Sequence, residues 1–391
     1  MKKHIIFLAA FFAAALLVSG CYPEDNPGIK NHGLTLTLSS GELETKAGDP
    51  DPFAFENVID HFDFYFFKDA EGTQPISGMH GRVSSTTPAA TLSTTLDTSE
   101  NGEYSALRRG TSYVYILANY PGSHPTTANM TLAELLNLPV DAPVVKEKVE
   151  AIDPATGKKE ETGEVKFCDY LVMDSYQKAT SSSPASYTTK LTPAAIEEER
   201  EVTIMLSRLT AKLAMVINVA RSVEGTMTYT EGGVEKKEKW TPILSDLRTY
   251  YVNALNNKTQ VNANPVERDT IAATRLNSYE YLTYPTKYHL TVDGSDDHKF
   301  TTDPFYTYPQ LWKDSANGEP YFKIQISWSS NLRGTSPFYY KVAVPAAESG
   351  VRTLNRNTYY LVTVDLSVID TENDYVEVTG NYIVAPWLPS G

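Results

Sequence analysis

From residue 209 the chain reads Leu209-Thr-Ala-Lys-Leu-Ala-Met-Val-Ile-Asn-Val-Ala220, which is the longest strand signal in the sequence. Side chains two residues apart point to the same face of a strand. Here one face holds Leu213, Met215, Ile217 and Val219. The other face, with Ala214 and Val216, is also largely apolar. A strand that is apolar on both faces is covered on both faces, so the stretch predicts a central strand of a packed sheet.

Shorter stretches with the same period of two lie on either side of this strand. They are residues 34–39, 62–67, 113–118, 322–328 and 360–366. Turn-forming residues separate them, and a content of 25 Tyr, 23 Pro and 22 Gly is typical of β structure with many turns. The pattern predicts an all-β chain of β-sandwiches with few short helices.

Other segments predict the domain organisation. Thr131-Leu-Ala-Glu134 matches a capping box ahead of three leucines, which predicts a short helix. Residues 141–163 are charged and contain proline, which predicts a loop. A mature chain of about 370 residues is too long for one core. We therefore expect an N-terminal domain at residues 34–210 and a C-terminal domain at 211–391, with the boundary between residues 200 and 225.

The N-terminus predicts export. Lys2 and Lys3 precede an apolar run from residue 5 to 18, which suits a secretory leader and is too short to span a bilayer. The run ends in Val18-Ser-Gly-Cys21, which resembles the lipobox of bacterial lipoproteins. In that class the thiol receives diacylglycerol, so Cys21 is the expected lipidation and palmitate site, residues 1–20 the signal peptide and residues 21–33 a tether. The alternative is an ordinary signal peptide followed by a chance cysteine.

Charge and cysteine content exclude several classes of protein. The net charge is −14, and loss of the leader makes it −16, so nucleic acid is not an expected partner. Cys168 is the only cysteine left after lipidation, and it is most simply a small buried apolar residue. No disulfide can form within the mature chain, so its stability must come from packed cores.

Motifs for catalysis or metal binding are missing from the sequence. The seven histidines have no metal-ligand spacing, and no nucleophile elbow or phosphate loop occurs. His61 and Asp63 share a strand face and are expected to form a surface pair. The acidic stretch from Asp293 to His298 is a hairpin turn rather than a calcium loop, since it lacks the EF-hand spacing. We expect a protein that is not an enzyme and has no cofactor and no metal.

Five stretches together resemble a known family. They are the lipobox leader, Tyr113-Val-Tyr-Ile-Leu-Ala-Asn119, Tyr170-Leu-Val-Met-Asp-Ser175, Leu206-Ser-Arg-Leu-Thr-Ala-Lys212 and Leu354-Asn-Arg-Asn-Thr-Tyr359. In their order and spacing they are similar to the fimbrillins of the Bacteroidetes, the subunits of type V pili. The resemblance implies two tandem transthyretin-like β-sandwiches. It also implies a subunit of a cell-surface fimbrium that serves cell adhesion, at the cell outer membrane and then outside the cell.

The resemblance also implies polymerisation by strand exchange. A protease removes the first strand, and a C-terminal strand of a neighbouring subunit fills the groove, which is β-augmentation. The displaced strand is then residues 34–39, with Leu34, Leu36 and Leu38. The donor segment is residues 376–391, with Val376, Val378, Ile383 and Val384. The expected partners are other fimbrial subunits, the outer membrane through the lipid, and host or bacterial surface ligands.

One departure leaves the processing step open. The family's cleavage site is commonly an arginine, whereas this chain has none between Cys21 and Arg82. Lys46, just after the first strand, is the expected processing site, and the alternative is an uncut anchor subunit. A surface-anchored glycan-binding lipoprotein is the other candidate function, because tyrosine and tryptophan can serve as sugar platforms.

Overall fold

The structure is a computed structural model of the 391-residue chain. It describes residues 33–40, 54–125, 129–140, 144–152, 159–167, 170–192, 201–247, 250–253, 255–256, 259–267, 278–279, 282–283, 291–293, 296–302, 305–312, 321–343, 352–372, 376–378 and 380–386. Cys21, Lys46 and Cys168 lie outside these ranges.

Strands account for most of the described residues. The first thirteen are β1 Gly33–Ser39, β2 Ile59–Phe67, β3 Pro75–Ala89, β4 Thr91–Asp97, β5 Ser112–Ala118, β6 Pro139–Val140, β7 Val144–Ile152, β8 Lys159–Phe167, β9 Met173–Asp174, β10 Thr189–Leu191, β11 Glu201–Met205, β12 Ser207–Arg208 and β13 Ala211–Val219. The next twelve are β14 Val223–Glu231, β15 Val234–Ile243, β16 Tyr250–Asn253, β17 Leu255–Asn256, β18 Thr259–Gln260, β19 Val266–Glu267, β20 Ser278–Tyr279, β21 Leu282–Thr283, β22 Thr291–Asp293, β23 Asp296–Thr301, β24 Phe305–Thr307 and β25 Gln310–Trp312. The last are β26 Tyr321–Ser330, β27 Gly334–Ala343, β28 Arg352–Leu354, β29 Thr358–Leu366, β30 Val376–Val378 and β31 Asn381–Pro386.

The helical elements are short. The α-helix α1 covers Leu132–Leu136, and 3-10 turns cover Ala54–Asn57, Ser105–Arg109 and Leu244–Asp246. At α1 the Thr131 hydroxyl accepts a hydrogen bond from the Glu134 amide, and the Glu134 carboxylate accepts one from the Thr131 amide. The predicted capping box is therefore confirmed.

Two sheets of the N-terminal half enclose one core. The first sheet has the order β11-β1-β4 and the second the order β12-β9-β5-β2-β3, with β10 beside β5. Phe62, Phe64 and Phe66 of β2 face β1 across this core, as their alternation predicted. The other face of β2 packs under α1, because Tyr65 and Phe67 join a second cluster with Leu132 and Leu135.

The C-terminal half repeats the layered plan around β13. This strand lies in a sheet of order β22-β23-β13-β29-β31 and pairs in parallel with β29. The facing sheet has the order β14-β15-β26-β16-β21, with β27 beside β26 and β30 beside β27. The apolar faces of β13, β26 and β29 fill one core between the sheets. The all-β sandwich prediction is confirmed, and so is the central position of the strand at residues 209–220.

One loop prediction is wrong. Residues 144–152 and 159–167 form a regular antiparallel hairpin of β7 and β8, which occupies much of the segment expected to be a loop, residues 141–163, and extends beyond it. The ladder pairs Lys146 with Val165 and Val145 with Lys166. Three charged residues follow one another in each strand, at 146–148 in β7 and at 159–161 in β8, so neither strand shows the period of two on which the prediction relied.

Ile217→Asp should destabilise the C-terminal half by several kcal/mol, because Ile217 is 1% exposed and the new carboxylate would have no partner in the core. The measurement is the urea midpoint followed by tryptophan fluorescence. Val234→Asp is the matched control, since Val234 is 60% exposed. An unchanged midpoint for the Ile217 variant would contradict the placement of β13.

Candidate functional site: the β1 groove and the polar junction at its end

Strand β1 lies between two strands that are far from it in sequence. It pairs in parallel with β11, where Leu36 lies opposite Val202, and antiparallel with β4, where Leu36 lies opposite Thr94. The two neighbours form the walls of a slot, the β1 groove, which β1 fills as its middle strand. Because both neighbours bond to it, β1 satisfies the backbone groups that would otherwise form two open sheet edges.

The floor of the β1 groove is apolar. Leu34, Leu36 and Leu38 are fully buried, each with 0% exposure. They pack in one cluster with the phenylalanines of β2 and with Leu96, Ile204 and Leu206 of the walls. Full burial of an aliphatic side chain contributes about 1.5–3 kcal/mol, so the three leucines supply a large part of the energy that holds β1.

The outer face of β1 is polar. The Thr35 hydroxyl lies 2.9 Å from that of Thr95, and the Thr37 hydroxyl lies 2.9 Å from that of Ser93. Thr37 also donates to the Glu201 carboxylate on the opposite wall. These contacts join β1 to both walls without apolar burial, so an occupant of the β1 groove needs apolar residues on one face only.

A polar junction closes the end of the β1 groove that follows Ser39. Arg208, 2% exposed, donates through Nε to the Glu56 carbonyl at 3.0 Å and through Nη2 to the Ser40 carbonyl at 3.3 Å. It also donates to the side chains of Asn57 and Asn357. Burial lowers the pKa of Arg208 to about 10. The junction thus joins the strand end to a residue of the C-terminal half.

Glu56 adds a buried ion pair to the same junction. Its carboxylate lies 3.1 Å from Lys212 Nζ and accepts a hydrogen bond from the Tyr306 hydroxyl. Both charged side chains are fully buried. A buried charge requires such pairing, so residues 54–57 are fixed to the start of β13.

A second buried ion pair lies beside it. Arg356 donates to both oxygens of Asp174, through Nη1 at 3.2 Å and through Nη2, and to the Ser207 carbonyl at 2.9 Å. Asp174 is fully buried, and this burial raises its pKa even though the Arg356 charge opposes the shift. The guanidinium also lies over the Tyr176 ring, 4.7 Å from its centre.

The stretches that carried the family resemblance meet at this junction. Arg208 and Lys212 come from one stretch, Asp174 from a second and Arg356 and Asn357 from a third. Asn119, from a fourth, donates to the carbonyls of Val58 and Leu171 from a left-handed backbone conformation with φ of 58°. Their common role is structural, since each pairs a buried polar group.

Comparison with known proteins gives fimbrial neighbours. The chain resembles solved fimbrial proteins of the Bacteroidetes along most of its length. Fimbrilin from Porphyromonas gingivalis W83 is 11% identical, with 92% of this chain and 98% of that chain covered and a TM-score of 0.46. The tip fimbrial protein Mfa3 of P. gingivalis, C-terminally truncated, is 13% identical, with 91% and 100% covered and a TM-score of 0.45.

A third neighbour is the fimbrial anchor protein Mfa2 of P. gingivalis, 10% identical, with 91% and 98% covered and a TM-score of 0.34. No protein-family model matches the chain, and no curated protein does.

The predicted donor segment is docked on its own chain. Val376 and Val378 lie in β30, which pairs in parallel with β27, and Val376 is 7% exposed. Ile383 and Val384 lie in β31, the last strand of the other sheet, and are 61% and 54% exposed. Gly380 joins the two strands where a Cβ would come within 2.7 Å of Val362 Cγ1. The segment thus crosses from one sheet to the other, with apolar side chains in solvent near its end.

The expected surface pair of His61 and Asp63 is wrong. Asp63 is fully buried on β2, where Arg82 donates to both of its oxygens at 2.8 Å and His124 Nδ1 lies 2.6 Å from Oδ1. His61 instead lies 2.9 Å from Asp60. The sequence could not predict this because both faces of β2 are covered.

The remaining expectations concern metal ligands, membrane spans, tryptophans and modification sites. Within the described ranges, no group of three or more potential ligands is placed to hold a metal, and no helix has the length and apolarity of a membrane span. Three of the four tryptophans, Trp240, Trp312 and Trp328, are at most 1% exposed and cannot serve as sugar platforms. The predicted cleavage site, Lys46, and the predicted lipidation site, Cys21, fall outside the described residues.

Proposed function

We propose that this chain is a structural subunit of a cell-surface fimbria, exported as a lipoprotein and polymerised by exchange of strand β1. The observation that carries the proposal is the setting of β1. It is a middle strand near the N-terminus, paired on both sides and buried through three leucines. A segment of this kind can be removed without cutting any other strand of the fold.

Removal of β1 drives the exchange in this proposal. The vacated groove would expose the apolar cluster of the N-terminal half and the unpaired edges of β4 and β11. Both are costly in water, so the emptied subunit takes up another strand. The donor is the C-terminal segment of a second copy. Because this donation is head-to-tail and does not close on itself, it produces a filament.

Processing sets the order of events. Cys21 holds the precursor at the outer membrane, and cleavage after Lys46 separates β1 from the body of the subunit. Before cleavage, β1 is covalently attached and fills its groove at a very high effective concentration, so the precursor stays monomeric. An uncut chain would remain lipidated with its groove filled, which is the role of an anchor subunit.

Lys46→Ala should trap the lipidated monomer, since the covalent link keeps β1 in the groove. Wild-type protein should yield a mature N-terminus at Ala47 and ladders of oligomers on unboiled gels, whereas the variant should give neither. The measurement is mass spectrometry of the N-terminal peptide together with the gel. Lys30→Ala is the matched control and should behave like wild type. Ladders formed by uncut protein would contradict protease-triggered exchange.

Cys21→Ala should abolish incorporation of a palmitate analogue and leave an unprocessed leader, because the lipid is attached through this thiol. Metabolic labelling followed by immunoprecipitation makes the measurement, and Cys168→Ala should retain the label in full. Undiminished labelling of the Cys21 variant would refute export as a lipoprotein.

A further inference from the structure

The end of the β1 groove encloses one residue completely. Ser40 follows β1 and is fully buried. Its amide donates to the Ala90 carbonyl at 3.0 Å, and its hydroxyl donates to the Asn57 carbonyl and lies 3.1 Å from that of Ala90. Its carbonyl accepts a hydrogen bond from Arg208 Nη2. Every polar group of Ser40 therefore has a partner within the protein.

This setting is selective in its chemistry. The Asn57 carbonyl lies in a buried position and accepts from the Ser40 hydroxyl. An alanine there would leave that carbonyl without this donor, which is costly in a buried site. A large or charged side chain would have to enter a space in which Ser40 has no exposed surface. A small hydroxyl residue meets both requirements.

The position of Ser40 is in phase with the leucines. Ser40 follows Leu38 by two residues, as Leu38 follows Leu36. Any strand that replaces β1 in the same register therefore presents one side chain to this enclosure after its last apolar residue. The apolar floor accepts many aliphatic strands, whereas the enclosure accepts few residue types.

We propose that the Ser40 enclosure is a specificity determinant of the β1 groove, selecting an incoming strand that carries a small hydroxyl residue two positions after its last buried apolar residue. This inference rests on the proposed exchange of β1. We assign this strand to the C-terminus of a second copy, because Leu388-Pro-Ser390 repeats the spacing of Leu38-Ser-Ser40, which would place residues 383–390 in the register of residues 33–40.

The test uses the mature chain with a specific protease site in place of residues 41–47 and a dye on β1. After cleavage, unlabelled peptides of residues 33–40 compete for the groove, and release of the dye is followed by fluorescence anisotropy. The Ser40→Ala peptide should compete about ten-fold less well than the wild-type peptide, and Ser40→Val less well still. Thr35→Ala is the matched control, since Thr35 makes a single exposed hydroxyl contact, and it should change competition by less than about three-fold.

The partner is tested with a peptide of residues 376–391. It should displace labelled β1, and Ser390→Ala should weaken this displacement about ten-fold. Equal competition by the wild-type and Ser40→Ala peptides would overturn the specificity determinant. Equal displacement by the wild-type and Ser390→Ala peptides of residues 376–391 would overturn the assignment of a second copy.

Failure of the proposed strand exchange gives a different result from failure of the specificity determinant. If the wild-type peptide of residues 33–40 never displaces the label, exchange itself is wrong. The enclosure is then tested in the uncut chain by hydrogen exchange of the amides at residues 34–39. Ser40→Ala should speed their exchange about ten-fold and Thr35→Ala less than about three-fold. Equal rates would overturn the role of Ser40 in holding a strand.

Discussion

Replacing Ile383 and Val384 together with aspartate should abolish polymerisation and leave the free subunit as stable as the wild type. Both side chains are more than half exposed where β31 lies on its own chain, so charges there cost little in the monomer. In the groove of a neighbour, at least one would lie on the apolar floor, where an unpaired carboxylate costs several kcal/mol. A loss of this size lowers affinity by roughly a thousand-fold or more.

Two measurements on the same samples separate assembly from folding. Size-exclusion chromatography of cleaved protein should show only monomer, while the melting temperature should stay within about 2 °C of the wild type. Val368→Asp is the matched control, since Val368 is 56% exposed but precedes the donor segment. The donor assignment fails if the double variant still forms oligomers that resist detergent. Deleting residues 376–391 is a weaker test, because it also removes the buried Val376 from the core.

Arg356→Ala should destabilise the protein by about 3–5 kcal/mol, because it leaves the Asp174 carboxylate buried without its cation. The change also removes a donor to the Ser207 carbonyl and the cover over the Tyr176 ring. Since Asp174 and Arg356 are 182 residues apart, the loss should fall on the contact between the two halves. Urea unfolding measured by tryptophan fluorescence gives the size of the effect.

The chemistry of the pair provides the controls. Arg356→Lys keeps the charge but cannot donate to both carboxylate oxygens in the same plane, so it should restore only part of the stability. Arg221→Ala breaks an exposed pair with Asp297, whose side chains lie 3.6 Å apart, and should leave the urea midpoint unchanged. Equal effects of the Arg356→Ala and Arg221→Ala variants would show that burial does not decide the strength of these pairs.

The period of two predicted the strands whose two faces differ clearly or are both apolar. The phenylalanines of β2 and the apolar residues of Leu213 to Val219 and Tyr360 to Leu366 are buried as their alternation indicates, because burial sorts side chains by face. The same signal failed at β7 and β8, where runs of three charged residues interrupt the alternation. The order in which the strands pair could not be predicted from the sequence, since β1 pairs with β11 across more than 160 residues.

The sequence also predicted some residues of the candidate site and not others. Leu34, Leu36 and Leu38 were identified from alternation alone, and their burial follows from it. Ser40 continues the period of the leucines, but the sequence does not show that its carbonyl accepts from Arg208 or that Glu56 accepts from Tyr306, because these partners come from distant parts of the chain. Only a residue type that is rarely buried without a partner, such as the arginine of Leu206-Ser-Arg-Leu, could have pointed to the junction.

The composition of β1 also decides what becomes of the strand outside the protein. Residues 34–39 alternate leucine with hydroxyl residues and contain no charge and no proline. Short segments of this kind stack into cross-β assemblies, in which identical side chains interdigitate. If β1 is released as proposed, we expect the free strand to self-associate where its local concentration is high, whereas dilute peptide stays in solution. Such self-association would favour the proposed exchange in the forward direction, because it removes the competitor for the groove.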